Sequence, residues 1–149
     1  MLRKIKSYLL LNSEEKTLYV EAYFFLAWAR LLKCIPFRKL SCCLGEQMDE
    51  TTEDLEESNK KHLIQISQSI HIMSRYTLWE SMCLVQAIAA MKMLERRNIE
   101  STIYFGTSKD KDGRLIAHAW LRSGPYFITG FKGMEKFTVV NKFARKLNA

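Results

Sequence analysis

Between Ser13 and Lys33, apolar residues recur at helical spacing: Leu18, Ala22, Phe25, Trp28, Ala29 and Leu32. Steps of three, four and seven place them on one stripe, and Ser13 ahead of Glu14 and Glu15 offers a cap and an acidic first turn. The pattern predicts a helix over 13–33, ended by Pro36. Tyr19, Tyr23 and Phe24 widen the apolar surface, so this helix is expected to pack on more than one side. Residues 37–45 (FRKLSCCLG) read as a short helix closed by Gly45. Leu63, Ile66, Ile70 and Met73 predict another over 60–75. The strongest helical pattern runs from Thr77 to Asn98, with Met82, Val85, Ala89, Ala90 and Met93 in its stripe. Lys92, Arg96 and Arg97 gather at its C-terminal end.

After Asn98 the period falls to two. Strands are expected over 101–105, 115–122, 126–131 and 137–141. The polar run SKDKDG, the Ser123-Gly124-Pro125 turn and a loop with Gly133 separate them. Helices followed by an antiparallel meander make an α+β fold. On the second strand, Ile116, His118 and Trp120 alternate with Leu115, Ala117, Ala119 and Leu121. Both faces are largely apolar, so both should be covered, one by the 77–98 helix and the other by the N-terminal helices or a partner. The final KFARKLNA reads as an exposed basic tail.

At 149 residues, 48% hydrophobic and 26% charged, the chain is long enough for a buried core and is not disordered. Its net charge of +7 hides an asymmetry, because residues 46–57 (EQMDETTEDLEE) hold seven acids and no base. This stretch reads as a mobile linker. It would divide an N-terminal helical region (1–58) from a core domain (59–149). The remaining basic surface favours an acidic partner. Clusters at Arg96, Arg97, Lys109, Lys111 and Arg114, and at Arg122, Lys132 and Lys136, are candidates for meeting one. No nucleic-acid-binding motif is present, and the aromatics lie in apolar patterns rather than on a basic stripe. Cys34, Cys42, Cys43 and Cys83 include no CxxC pair, so no metal site is expected. The longest apolar stretch, Leu18 to Leu32, contains Glu21 and Arg30 and is too short for a membrane span. With no cleavable signal pattern at the start, a cytosolic protein with reduced thiols is expected.

Two residues carry candidate chemistry. Cys83 lies near the start of the strongest helix, where unpaired backbone N–H groups attract negative charge. His118 lies in the middle of a strand, in IAHAWLR. A helix-start cysteine facing a strand histidine is one way to build a nucleophile and base. A cysteine in an apolar helix is also an ordinary packing residue, and a histidine between alanines an ordinary core or edge residue, so spacing alone leaves both readings open. Cys34, Cys42 and Cys43 read as structural, and His62 and His71 as surface residues.

The strings WESMCLVQAIAAMKMLERRNI, IYFG, AHAWLRSG, ITGF and FTVVNKF together resemble the leader peptidases of lasso-peptide biosynthesis, in their stand-alone form. The likeness is densest over residues 77–143; IPFRKL and CLG extend it forward. It implies a transglutaminase-like, papain-related core, a helix packed on an antiparallel sheet. It also implies a cofactor-free cysteine endopeptidase that cuts a ribosomal precursor between leader and core. A small leader-recognition protein would present the precursor, and an ATP-dependent cyclase would use the freed amine. By the resemblance, Cys83 is the nucleophile and His118 the base.

The resemblance also implies an aspartate after the histidine. A hairpin centred on Gly124 places Gly130 there instead, and residues 123–134 contain no acid. Thr129, Glu135, Asn141 or a backbone carbonyl remain to orient the ring, with strand parity against Thr129. The Cys83 N–H and Gln86 are candidate oxyanion donors, and Trp120 a candidate wall of the site. Two other readings stay open: a different acyl transfer on the same core, directed at glutamine, and a non-catalytic module that binds leader or partner.

Overall fold

The computed structural model describes residues 2–147. Its helices are α1 (Leu2–Leu9), α2 (Ser13–Leu32), α3 (Phe37–Leu44), α4 (Lys60–Met73) and α5 (Cys83–Glu95). Its strands are β1 (Glu46–Gln47), β2 (Ser101–Lys109), β3 (Leu115–Ser123), β4 (Tyr126–Thr129) and β5 (Thr138–Arg145). They form one antiparallel sheet in the order β1-β5-β2-β3-β4. The α+β arrangement holds, but the sheet is not a meander. After β4 the chain returns across the sheet and adds β5 on the far side of β2.

α5 is the centre of the molecule. Val85, Ala87, Ile88, Ala89, Ala90, Met91, Met93 and Leu94 are all buried, so nearly its whole circumference faces protein. α2 and α4 pack on one side of it, and β2, β3 and β4 on the other. Ala22, Leu26 and Ala29 of α2 join Ile66 and Ile70 of α4 and Ile103, Leu121 and Phe143 of the sheet in one continuous core. α2 starts one residue earlier in its capping than the sequence suggests. Asn12, not Ser13, is the cap: its Oδ1 accepts the Glu15 N–H at 2.8 Å, and the Glu15 carboxylate accepts the Asn12 N–H at 3.2 Å.

Glu21 ties α2 to the turn after α5. Its carboxylate, only 9% exposed, accepts from Arg97 at 2.7 Å and from Arg96 at 3.0 Å. The Glu21 hydrogen bond raises the Arg97 pKa above its ordinary value, against the burial that would lower it. Removing the acid leaves a half-buried guanidinium short of its partner. Glu21→Ala is expected to cost about 1–2 kcal/mol, read as a lower urea midpoint at unchanged m.

The two faces of the sheet are covered differently. Ile103, Leu121 and Phe143 point to the helices, whereas Thr102, Tyr104, Trp120 and Arg122 alternate with them and point the other way. That second face is covered by residues 49–55, not by the N-terminal helices. The acidic stretch expected to be a linker is a strap. β1 pairs with the edge of β5, the Thr51 N–H donates to Thr102 Oγ1 at 2.9 Å, and Glu50 pairs with Lys142 at 3.2 Å. Lys146 pairs with both Asp49 and Glu46. Buried Arg122 holds the strap from below, donating to the carbonyls of Thr51 (2.9 Å) and Thr52 (3.2 Å) as well as to Gly124. Charge blocks read as solvated when their counter-charges are distant in sequence, and here those charges sit on β3, on β5 and just beyond it. The C-terminal segment is likewise not a free tail, since Phe143 and Ala144 are buried strand residues.

The strap should loosen in acid. The Lys146 hydrogen bond, followed by the Glu50 N–H, holds the Asp49 carboxyl down at about 2. At Glu50, burial works upward most strongly of any one cause, but the Lys142 and Tyr104 hydrogen bonds and the Lys142 and Arg122 charges together outweigh it, and the carboxyl is lowered. A carboxyl lowered on folding contributes stability above its unfolded pKa of about 4 and loses it as pH falls through the folded value. Protection of the Thr51 N–H against hydrogen exchange is therefore expected to be constant above about pH 5 and to fall towards pH 2.

Candidate active site

Cys83 is the first residue of α5. The helix begins six residues later than the sequence pattern predicts, because residues 77–82 spend their polar groups on one another. The Thr77 and Ser81 hydroxyls meet at 2.8 Å, and Gln86 Nε2 donates to the Ser81 carbonyl at 2.7 Å. Met82 occupies the cap position in an extended conformation and gives no side-chain cap, so the first N–H groups of α5 stay open beside the thiol. Cys83 itself is half-buried, and its Sγ makes no hydrogen bond among the described residues.

His118 lies on β3 opposite Gly106 of β2. Its ring is held between Trp120, 5.8 Å away and nearly parallel, and Phe137, 5.0 Å away. Gly106 makes the room: a Cβ there would come within 2.8 Å of both the Trp120 ring and Phe137. Trp120 stacks in turn on Tyr104. His118 Nε2 donates to the Gly130 carbonyl at 2.7 Å. A carbonyl only accepts, so this bond places the ring proton on Nε2 and leaves Nδ1 with its lone pair.

Gly130 thus stands beside His118, though not as its cross-strand partner. β4 ends at Thr129, which pairs with Leu121 after a register shift, and Gly130 crosses to the Trp120 side of β3. Its φ of +68° and its distance of 2.4 Å between an added Cβ and the Ala119 carbonyl leave no space for a side chain. The remaining expected orienters are elsewhere. Thr129 shares the helix-facing side with Leu121, and its Oγ1 is buried without a hydrogen bond among the described residues. Asn141 Oδ1 accepts the Lys142 N–H, and Glu135 is exposed in a short 3-10 turn. Gln86 is engaged with Ser81 and does not point an open amide at the thiol. Among the expected basic patches, Arg96 and Arg97 are paired with Glu21 and Arg122 is buried, whereas Lys109, Lys111, Arg114, Lys132 and Lys136 are exposed. Cys34, Cys42 and Cys43 are exposed free thiols on the N-terminal helices and the turn after α2.

α5 packs on the face of the sheet that Ile103, Leu121 and Phe143 present, and His118, alternating with Ala119 and Leu121, lies on the other face. Leu115, Ile116 and Ala117, just before His118, are exposed on both faces, so this end of β3 is open. No hydrogen bond joins thiol and imidazole among the described residues, and no three His, Cys, Asp or Glu side chains among them converge as metal ligands.

The family model for the transglutaminase-like superfamily matches residues 26–142, from the last turns of α2 through α3, α4, α5 and β1 to β4 and into β5. The chain belongs to the transglutaminase-like superfamily. Its members include cysteine peptidases and acyltransferases, and the central helix on an antiparallel sheet is the corresponding architecture. No curated protein and no solved structure matches this chain. The match begins inside α2 and crosses residue 58, which lies within the segment leading from the strap into α4. Among the described residues no helix is long and apolar enough to cross a membrane.

Proposed function

We propose that this transglutaminase-like protein is a cysteine endopeptidase that removes the leader from a lasso-type precursor peptide. Cys83 Sγ attacks the scissile carbonyl and its proton passes to His118 Nδ1. The resulting imidazolium protonates the departing amine, which is the new N-terminus of the core peptide, and water then hydrolyses the thioester. The observation that carries the reading is the 2.7 Å bond from His118 Nε2 to the Gly130 carbonyl. It supplies the tautomer and ring orientation that the aspartate expected at this position would supply. The open N–H groups at the start of α5 suit the oxyanion of the tetrahedral intermediate. No hydrogen bond joins Cys83 to His118 among the described residues, so the reading requires bound peptide to bring thiol and imidazole together. A small leader-recognition protein would present the precursor, and an ATP-dependent cyclase would join the released amine to a side-chain carboxylate.

A second reading has its own observation. Cys83 and His118 lie on opposite sides of the sheet, which favours a non-catalytic module that holds the leader for another enzyme. Mass spectrometry of a matching precursor, incubated with this protein and its recognition partner, separates the two. Cleavage at a single junction with release of an unmodified core supports the peptidase; intact precursor that co-elutes with the protein supports the module. A deamidated or cross-linked glutamine would instead assign a different acyl transfer.

A further inference from the structure

None of the described side chains of α1 belongs to the site or the core. The helix precedes the residues matched by the family, and Leu2, Leu9 and Leu10 at its two ends are 78%, 64% and 86% exposed. Leu2 and Leu9 are seven residues apart and share a helix face. Lys6, four residues after Leu2 and three before Leu9, borders that face, Arg3 lies on its flank, and both are exposed. From residue 1 to residue 13 the sequence holds three bases and no acid. A core-packing helix would bury its leucines, and a helix docked on a basic protein of this charge would need acids to face it. An eight-residue helix with exposed leucines bordered by positive charge is complementary to an anionic bilayer surface, where a bordering lysine can reach up to the phosphates. The helix is far too short to span a bilayer. Lys16 Nζ donates to the Leu9 carbonyl at 3.2 Å and fastens this end of α1 to α2, so the helix is presented rather than trailing.

We propose that α1 is a peripheral membrane-binding element that lays Leu2, Leu9 and Leu10 into the headgroup boundary of an anionic bilayer, with Arg3 and Lys6 against the lipid phosphates. The test is co-sedimentation of the full chain with vesicles of phosphatidylcholine alone or with added phosphatidylglycerol. Partitioning onto the anionic vesicles is expected to exceed that onto the neutral ones by about tenfold at low salt. Leu9→Glu with Leu10→Glu should lower it by tenfold or more, and Arg3→Glu with Lys6→Glu should erase the preference for anionic lipid. These positions are exposed, so circular dichroism and the unfolding midpoint should be unchanged. Equal binding to both vesicle types, or binding untouched by the leucine pair, overturns the proposal. So does a concentration-dependent dimer that the leucine pair abolishes in the absence of vesicle binding, which would assign the surface to a second copy of the chain.

Discussion

Cys83→Ala is expected to leave no measurable leader cleavage, and His118→Ala to lower the single-turnover rate by about a thousandfold. The asymmetry follows from their roles. Without the thiol no acyl-enzyme forms, whereas without the imidazole the nucleophile is still present and only its proton acceptor is lost. Precursor binding should survive both changes, because neither side chain belongs to the buried core. His118→Gln is the sharper probe, since its amide can still donate to the Gly130 carbonyl and hold the Trp120–Phe137 slot while lacking a base. Equal loss in His118→Gln and His118→Ala identifies proton transfer as the function of the ring. If His118→Gln cuts at the wild-type rate, the histidine is a packing residue and the site belongs to Cys83 with another base. Rates are read by quenched-flow mass spectrometry at saturating recognition partner.

What could be seen in the sequence was whatever local periodicity controls. α3 and α4 fall within two residues of their expected limits, since Gly45 and the Leu63–Met73 stripe are signals local to each helix. The α5 start was hidden because Thr77, Ser81 and Gln86 hold the preceding loop through side-chain bonds that a hydrophobic pattern does not register. The strap was hidden for a different reason. Its acids find Lys142 and Lys146, and its backbone carbonyls find Arg122, some 70 to 100 residues away, and only the fold brings these together. β5 ran on through Arg145 because Phe143 and Ala144 complete the core edge, although their basic neighbours gave the segment the look of a tail. At the site, Cys83 and His118 stood out by type and position, and hairpin parity brought Gly130 close to the ring. That the link runs through a carbonyl rather than a side chain could not be read there, because backbone groups carry no signature in sequence. Phe137 and Gly106 were missed as a pair; the glycine ending a strand is the one signal that marked a close approach.

Restoring the acid that the family resemblance leads one to expect should harm the protein. Gly130→Asp requires a side chain at φ +68°, in the left-handed region, and its Cβ would lie 2.4 Å from the Ala119 carbonyl and 2.9 Å from Trp120 Cβ. The first contact is with backbone of the central hairpin, which cannot rotate away. We expect Gly130→Ala and Gly130→Asp each to lose about 3 kcal/mol of unfolding free energy, from conformational strain together with the steric overlap. Gly113→Ala is the control. Its φ of +78° is as unfavourable, but nothing lies within 4 Å of the added Cβ, so its cost should be that of the conformation alone, about 1 kcal/mol. The difference between the two alanine variants, measured by urea unfolding at pH 7, isolates the clash. Activity should follow the carbonyl rather than the charge. Displacing residue 130 from Trp120 moves its oxygen off His118 Nε2, and Gly130→Asp should cut precursor no faster than Gly130→Ala. A Gly130→Asp variant that unfolds at the wild-type midpoint and cuts faster would mean that the chain can seat a conventional triad, and that the carbonyl bond seen here is not what fixes the imidazole.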